Sequence, residues 1–476
     1  MTTTDSPAPL RRRQRAPAPQ ALALLKRGAA HIASPPKVRD GAVLLIGYVI
    51  YELLCQLLLL VPSLASIRVV LRSAAFAASL ALVLMVPGKP LSWHPARTVV
   101  TLALVIVMVS ALNPAGAGPL AAFANVCLYV SIVGPIFWMS RLRVSAHTLA
   151  IVLAVLWAYY TLSSGLGILQ MYFPGRFEPP IQDVIKGRGE IYAAAMQIQL
   201  ASGERVFRPM GLSDTPGGAS VAGFYAALLG VGIVQTRSLF WGSRLFGVGS
   251  ILVGIMVIYL SHVRSLLVAV GLALLTLVGL LGASARFSRL IVTGSIVAVL
   301  AITGYGYAAD VGGDAMVARM GTLVEQEPTD VYYSNRGMFL QHAFSHLLPQ
   351  FPLGGGLGRW GMINSYFGAA DRALWVEIQW SGWLIDGGVP LCLAFGAAML
   401  VAILTAARIA MSWRAGDLAP WAAVIAGYAV GMAAMTFNAT PFAGTTGVEF
   451  WFMLAALFQA TYGPGGPLAA EAKATV

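Results

Sequence analysis

Apolar residues in this chain fall in long, nearly unbroken runs rather than in the alternating or one-faced patterns of soluble strands and helices. A helix of roughly 20 apolar residues spans the hydrocarbon core of a bilayer. Runs of that kind occupy 41–61, 67–86, 98–113, 118–139, 148–172, 219–235, 245–261, 265–283, 290–309, 387–407, 419–437 and 448–463. The expected architecture is an all-α polytopic membrane protein with about 12 transmembrane helices across 41–463. The pair 245–261 and 265–283 is too long for one crossing and reads as two. Residues 1–40 are polar, with Arg11, Arg12, Arg13 and Arg15 among prolines, and read as a flexible basic cytoplasmic tail able to touch anionic lipid rather than as a signal peptide. Residues 464–476 read as a second cytoplasmic tail.

Composition agrees with the pattern. Of 476 residues, 58% are hydrophobic and 11% charged, where a soluble domain has about a quarter charged. A soluble enzyme, a disordered chain and a disulfide scaffold are excluded. Cys55, Cys127 and Cys392 each lie in an apolar run and read as small core residues without a redox role. The formal charge of +12 would suggest nucleic acid in a soluble protein. Here its distribution gives a different account. With the N-terminus inside, the tail holds eight basic residues, and the five short loops near 87–97, 140–147, 236–244, 284–289 and 408–418 hold two each. The short loops near 62–66, 114–117 and 438–447 hold none. This is the positive-inside pattern and places both termini in the cytoplasm. No nucleic-acid partner is expected; the bilayer is.

That orientation puts two long segments, 173–218 and 310–386, on the extracytoplasmic face. Long stretches between spanning helices are usually functional. The chain has no GxxxxGK[ST] motif and no DxD pair for a metal–nucleotide complex, so a substrate used there must arrive already activated, most simply on a lipid carrier.

Four polar elements stand out. Arg205-Val-Phe-Arg208-Pro-Met-Gly211 to Pro216-Gly217-Gly218 leads into an apolar helix, and its two arginines suit a phosphate, because a guanidinium forks onto two oxygens. Tyr259-Leu-Ser261-His262-Val-Arg264 joins two apolar helices and sets Arg264 at the membrane boundary, where a charge is usually retained for a task. The bland alternatives are lipid-headgroup snorkelling for the first and a tight hairpin with an interfacial arginine for the second. The third element runs from Tyr332 to Gly358. Arg336 is expected to open an amphipathic helix, with Phe339, Leu340, Ala343 and Leu347 at helical spacing and a Pro352–Gly358 loop after it. His342 and His346 are four apart but lack a third ligand, so no metal is assigned. The fourth, Trp375-Val-Glu377-Ile-Gln379-Trp380 to Asp386-Gly-Gly388-Val-Pro390, holds two carboxylates among tryptophans. Glu377 can act as a proton acceptor or simply pair with one of the arginines.

In this order the elements resemble the O-antigen ligase and O-antigen polymerase superfamily of polytopic membrane glycosyltransferases. Arg208, Gly211 and Pro216 match that family's first stretch, with Gly217 in place of Asn; Arg264 matches the second, with Val263 in place of Ser. Arg336, Pro352, Gly356 and Gly358 match the third, and Gly388-Val389-Pro390 the last, with Glu377 where the family usually has His. The motifs cover about residues 200–400.

The resemblance implies a glycan on a polyprenyl diphosphate as donor, a glycan hydroxyl as acceptor, and an inverting displacement without metal or other cofactor. It implies Arg208, Arg264 and Arg336 as stabilisers of the leaving diphosphate and Glu377 as base. Arg205, Tyr332, Gly356, Gly358, Trp375, Gln379 and Trp380 are the expected substrate-binding residues, the tryptophans, with Trp383, stacking on sugar rings. The leading expectation is a polymerase of lipid-linked repeat units for an exopolysaccharide, capsule or O-antigen in the bacterial cytoplasmic membrane, with a chain-length regulator as an accessory partner. The alternatives are a ligase moving a finished glycan to a lipid or protein acceptor, and, from another class, a secondary transporter using Glu52 and Glu449 as coupling sites.

Overall fold

The computed structural model describes residues 40–179, 193–194, 196–236, 242–284, 286–368 and 370–470. The tail expected over residues 1–40 lies outside them, apart from Asp40, as does the end of the second tail, 471–476.

The described residues are almost wholly helical. In chain order the helices are α1 (Ala42–Leu58), α2 (Arg68–Met85), α3 (Ala96–Ser110), α4 (Pro119–Trp138), α5 (Ala146–Tyr172), α6 (Gly218–Gln235), α7 (Ser243–Leu260), α8 (Arg264–Ala283), α9 (Phe287–Glu325), a composite α10 over 328–350, α11 (Gly361–Phe367), α12 (Gln379–Met411), α13 (Leu418–Met435) and α14 (Thr445–Tyr462). Among the described residues, nine helices are long and apolar enough to cross a membrane. Each of the twelve apolar runs contains one helix, but α1 and α3 have only 17 and 15 residues, and α14, which carries Glu449 and Gln459, is not among the nine.

Helices α6, α13 and α14 are buried along nearly their whole length, whereas α9 is mostly exposed. A helix apolar all round belongs either in a core or in lipid, and this chain uses both. The centre is close-packed because small residues let backbones approach. A Cβ on Gly223 of α6 would lie 2.5 Å from the Gly254 carbonyl oxygen of α7, and Gly232 leaves room for the Trp421 ring of α13.

Two helices extend beyond their apolar runs. The run 290–309 ends in sequence where polar residues begin, yet α9 continues to Glu325, broken at Gly313 with φ 58°. Likewise α12 starts at Gln379 and kinks at Gly387 and Gly388 before Pro390, rather than starting at the kink. Contacts from loops supply what apolarity does not: the turn at Gly313 packs against Ala201, and Val389 N–H donates to the Pro352 carbonyl at 3.0 Å. Pro328 at the first position, rather than Arg336, opens α10. That helix includes two wide π turns, Tyr333–Gly337 and Ala343–Leu347, and buries Ala343 and Leu347. A short hairpin, β1 (Gln197–Gln199) with β2 (Arg205–Phe207), precedes α6 and was not foreseen.

Candidate functional site

A cavity of about 780 Å³ opens where α6 and α8 begin and where α7, α9 and α13 end. Its wall includes Arg208, His262, Arg264, Arg319, Tyr332 and Arg336, with Val221, Leu266, Val268, Leu323 and Phe437 completing an apolar side. Four guanidinium groups thus face one space. The sequence elements carrying three of them are separated by as many as 128 positions, from Arg208 to Arg336.

Local structure places each charge. The 205–218 stretch is clamped from both sides. Gln170 of α5 accepts hydrogen bonds from the backbone N–H groups of Met210 and Gly211, each at 2.9 Å, and Ser163 Oγ accepts from Leu212 N–H at 2.9 Å. Asp214 accepts from Arg68 Nη2 at 3.1 Å and from Arg72 Nη2 at 2.5 Å, both on α2. Gly211, with φ 62°, lies directly against the Ser163 carbonyl, so no side chain fits there. The clamp delivers Arg208, whose buried Nε has no hydrogen-bond partner. Burial, and then the charges of Arg319 and Arg336, hold its guanidinium below the ordinary arginine value.

The remaining arginines have partners of their own. Arg264 Nη1 donates to Thr322 Oγ1 at 2.5 Å, and Arg319 Nε donates to the His262 carbonyl at 2.9 Å. Arg336 forms an ion pair with Glu377. Burial lowers the Arg336 pKa from its ordinary value. Tyr332 donates through its hydroxyl to the Phe437 carbonyl at 3.2 Å.

His262 occupies the turn between α7 and α8. It is the only non-glycine residue among those described with a positive φ, 55°, and its Nε2 is buried without a hydrogen-bond partner. Such strain persists only where surrounding structure enforces it, and it clusters at functional sites. Burial, then Arg319 and Arg208, lower the imidazole pKa to about 4, so the ring is neutral at neutral pH.

The residues singled out from sequence divide. Arg208, Arg264, Arg336 and Tyr332 line the cavity. Glu377 does not; its carboxylate is engaged by Arg336. Arg205 lies exposed on β2, and Trp375 is 77% exposed. Gln379 is buried, and its Oε1 accepts from Phe442 N–H at 3.0 Å, a brace between α12 and the α13–α14 connection. Trp380 donates to Thr436 Oγ1 at 3.0 Å and stands edge-on to Trp383, which is itself fully buried. Gly356 and Gly358, with φ 88° and 79°, press their backbones onto Gly116 of the α3–α4 connection and Ala121 at the start of α4. Asp386 is fully buried and held by Tyr129 at 2.6 Å and Asn125 at 3.3 Å.

Arg319 was missed. It is the only basic residue between Arg289 and Arg336, and it follows the Gly312-Gly313 pair that breaks α9; those two signals together mark it.

An anion with two or more negative charges matches this wall, because four guanidinium groups face it and only Arg336 has an ion pair with a carboxylate among the described residues. No protein-family model and no curated protein matches this chain. The resemblance to the O-antigen ligase and polymerase superfamily therefore rests on the quoted residues and the order in which they occur.

Proposed function

We propose that the chain is a membrane glycosyltransferase that polymerises polyprenyl-diphosphate-linked oligosaccharide repeat units on the outer face of the bacterial cytoplasmic membrane. In this reading all twelve apolar helices cross, both termini are cytoplasmic, and the cavity opens outward. The observation that carries it is the convergence of Arg208, Arg264, Arg319 and Arg336 on one cavity that also has an apolar wall. A lipid diphosphate has both chemistries: an anionic head for the arginines and a hydrocarbon tail for Val221, Leu266, Val268 and Leu323.

The acceptor hydroxyl attacks the anomeric carbon of the donor, and the bond from that carbon to the diphosphate oxygen breaks. Negative charge grows on the leaving oxygen. Fixed guanidinium groups stabilise it, and removing one such group typically costs about 10²–10³ in rate. Inversion follows from a single displacement. Glu377 positions Arg336 through its ion pair.

The test uses the purified full chain in lipid nanodiscs with a synthetic polyprenyl-diphosphate oligosaccharide as both donor and acceptor. A ladder of products is expected, and its absence with transfer only to a separate lipid or protein acceptor would point to a ligase. Arg208→Lys keeps charge but not the bidentate fork and should lose most activity. Near-normal polymer yield from Arg208→Lys and Arg264→Lys, at normal protein levels, refutes diphosphate binding by these residues.

One observation favours transport as a second reading. Glu52 and Glu449 are each 2% exposed inside the helix bundle, and Tyr160 and Tyr225 both donate to Glu449. Buried acids of this kind often serve as coupling sites. Transport predicts that Glu52→Gln and Glu449→Gln are the severe changes and that the arginine variants are mild.

A further inference from the structure

We propose that His262 accepts the proton of the attacking hydroxyl. This rests on the glycosyltransferase reading and deepens it by naming the base.

A base for this displacement must meet three conditions. It must face the space where the diphosphate and acceptor meet, carry a free lone pair, and be held still. Glu377 fails the first, since it lies outside the cavity lining, and its Oε2 is taken up by the ion pair with Arg336. His262 meets all three. It lines the same wall as the four arginines. Its ring is neutral at neutral pH, with Nε2 unpartnered. Its backbone is pinned on both sides, His262 N–H donating to the Tyr259 carbonyl at 3.0 Å and Arg319 Nε donating to the His262 carbonyl at 2.9 Å. The left-handed conformation at φ 55° is uncommon outside glycine, and histidine is among the few side chains that adopt it.

The surrounding charges also time the step. Arg208 from the loop before α6, Arg264 from α8, Arg319 from α9 and Arg336 from α10 face the same cavity, with Tyr332 on its wall and Tyr259 at the preceding helix end. Burial, and then the charges of Arg319 and Arg208, disfavour a protonated ring. A bound diphosphate offsets those two charges, which favours protonation of the imidazole when donor is present. The hydroxyl oxygen then bonds to the anomeric carbon, its proton passes to the imidazole, and the electron pair of the broken bond leaves with the diphosphate. Atoms and charge balance without any co-reactant.

The experiment measures donor affinity and turnover separately in nanodiscs for the full chain. His262→Asn tolerates a positive φ and should keep donor affinity within about threefold while turnover falls about a hundredfold or more, the usual contribution of a general base. His262→Gly frees space in the cavity, and added imidazole should restore a substantial part of its turnover, which a purely structural histidine would not show. Glu377→Gln should weaken donor affinity through Arg336 more than it slows the bound-state step. His262→Asn turning over within threefold of the parent, or His262→Gly that binds donor yet gains nothing from imidazole, overturns the assignment. Should the parent protein fail to bind the donor, or Arg208→Lys bind it normally, the diphosphate site itself is wrong and the base falls with it.

Discussion

Asp214 lies outside the cavity lining, yet it is expected to control the site, because it holds the loop carrying Arg208 against α2. Its side chain is 6% exposed and takes hydrogen bonds from Arg68 and Arg72, whose side chains are 12% and 23% exposed. Asp214→Ala leaves two mostly buried guanidinium groups without a counter-charge. Breaking a buried pair costs about 3–5 kcal/mol, and the remaining exposure of both arginines moves the expectation to the lower end, about 3 kcal/mol. Arg68→Ala should cost less, because Asp214 keeps Arg72. The double variant should cost less than the sum of the singles by about 1–2 kcal/mol, since each single leaves a partner stranded. Mixed-micelle denaturation gives the energies, and donor titration on the same samples should show weakened binding although no cavity residue has changed. A loss under about 0.5 kcal/mol for Asp214→Ala, or strict additivity in the cycle, would refute the clamp.

Other outcomes follow from the same geometry. Cysteines placed at Ser202 and Ser345, both exposed, should react with an impermeant thiol reagent in intact cells, whereas one at Ser288 should react only after permeabilisation; the reverse pattern sinks the topology. His94 and His262 are held down to about 3 and about 4 in the folded protein, below the usual imidazole value, so the folded state binds fewer protons than the unfolded one. Their contribution to stability is complete above about pH 6.5 and is lost as pH falls from there toward 3–4. The thermal midpoint should drop across that window, and His262→Asn should flatten part of the drop. Gly313→Ala forces a side chain into a φ of 58° and to within 2.8 Å of Ala201. It should weaken donor binding by displacing Arg319, and an unchanged affinity at normal protein levels would detach the α9 break from the site.

The helices were legible because apolarity over about 20 residues is a local property that needs no knowledge of neighbours. For the same reason the sequence marked Arg208, Arg264 and Arg336: a charge beside long apolar runs is conspicuous wherever it later points. The helix ends at Glu325 and Gln379 were not legible, since contacts from Ala201 and Pro352 support them beyond the apolar run. Which groups each residue meets was decided only by tertiary structure. Glu377 reads in sequence as a base or a partner, and the structure brings Arg336, 41 positions away, onto its carboxylate. Trp380 and Gln379 had the composition of a sugar platform but face Thr436 and Phe442 instead. Arg319 joined the cavity through the break at Gly313, and His262 acquired its significance from a strained turn that no residue pattern announces. Sequence alone determined which segments leave water and which charges are exceptional there. Which of those charges meet depends on helices that touch across hundreds of positions, as the Tyr160–Glu449 bond does across 289, and only the packed bundle sets those distances.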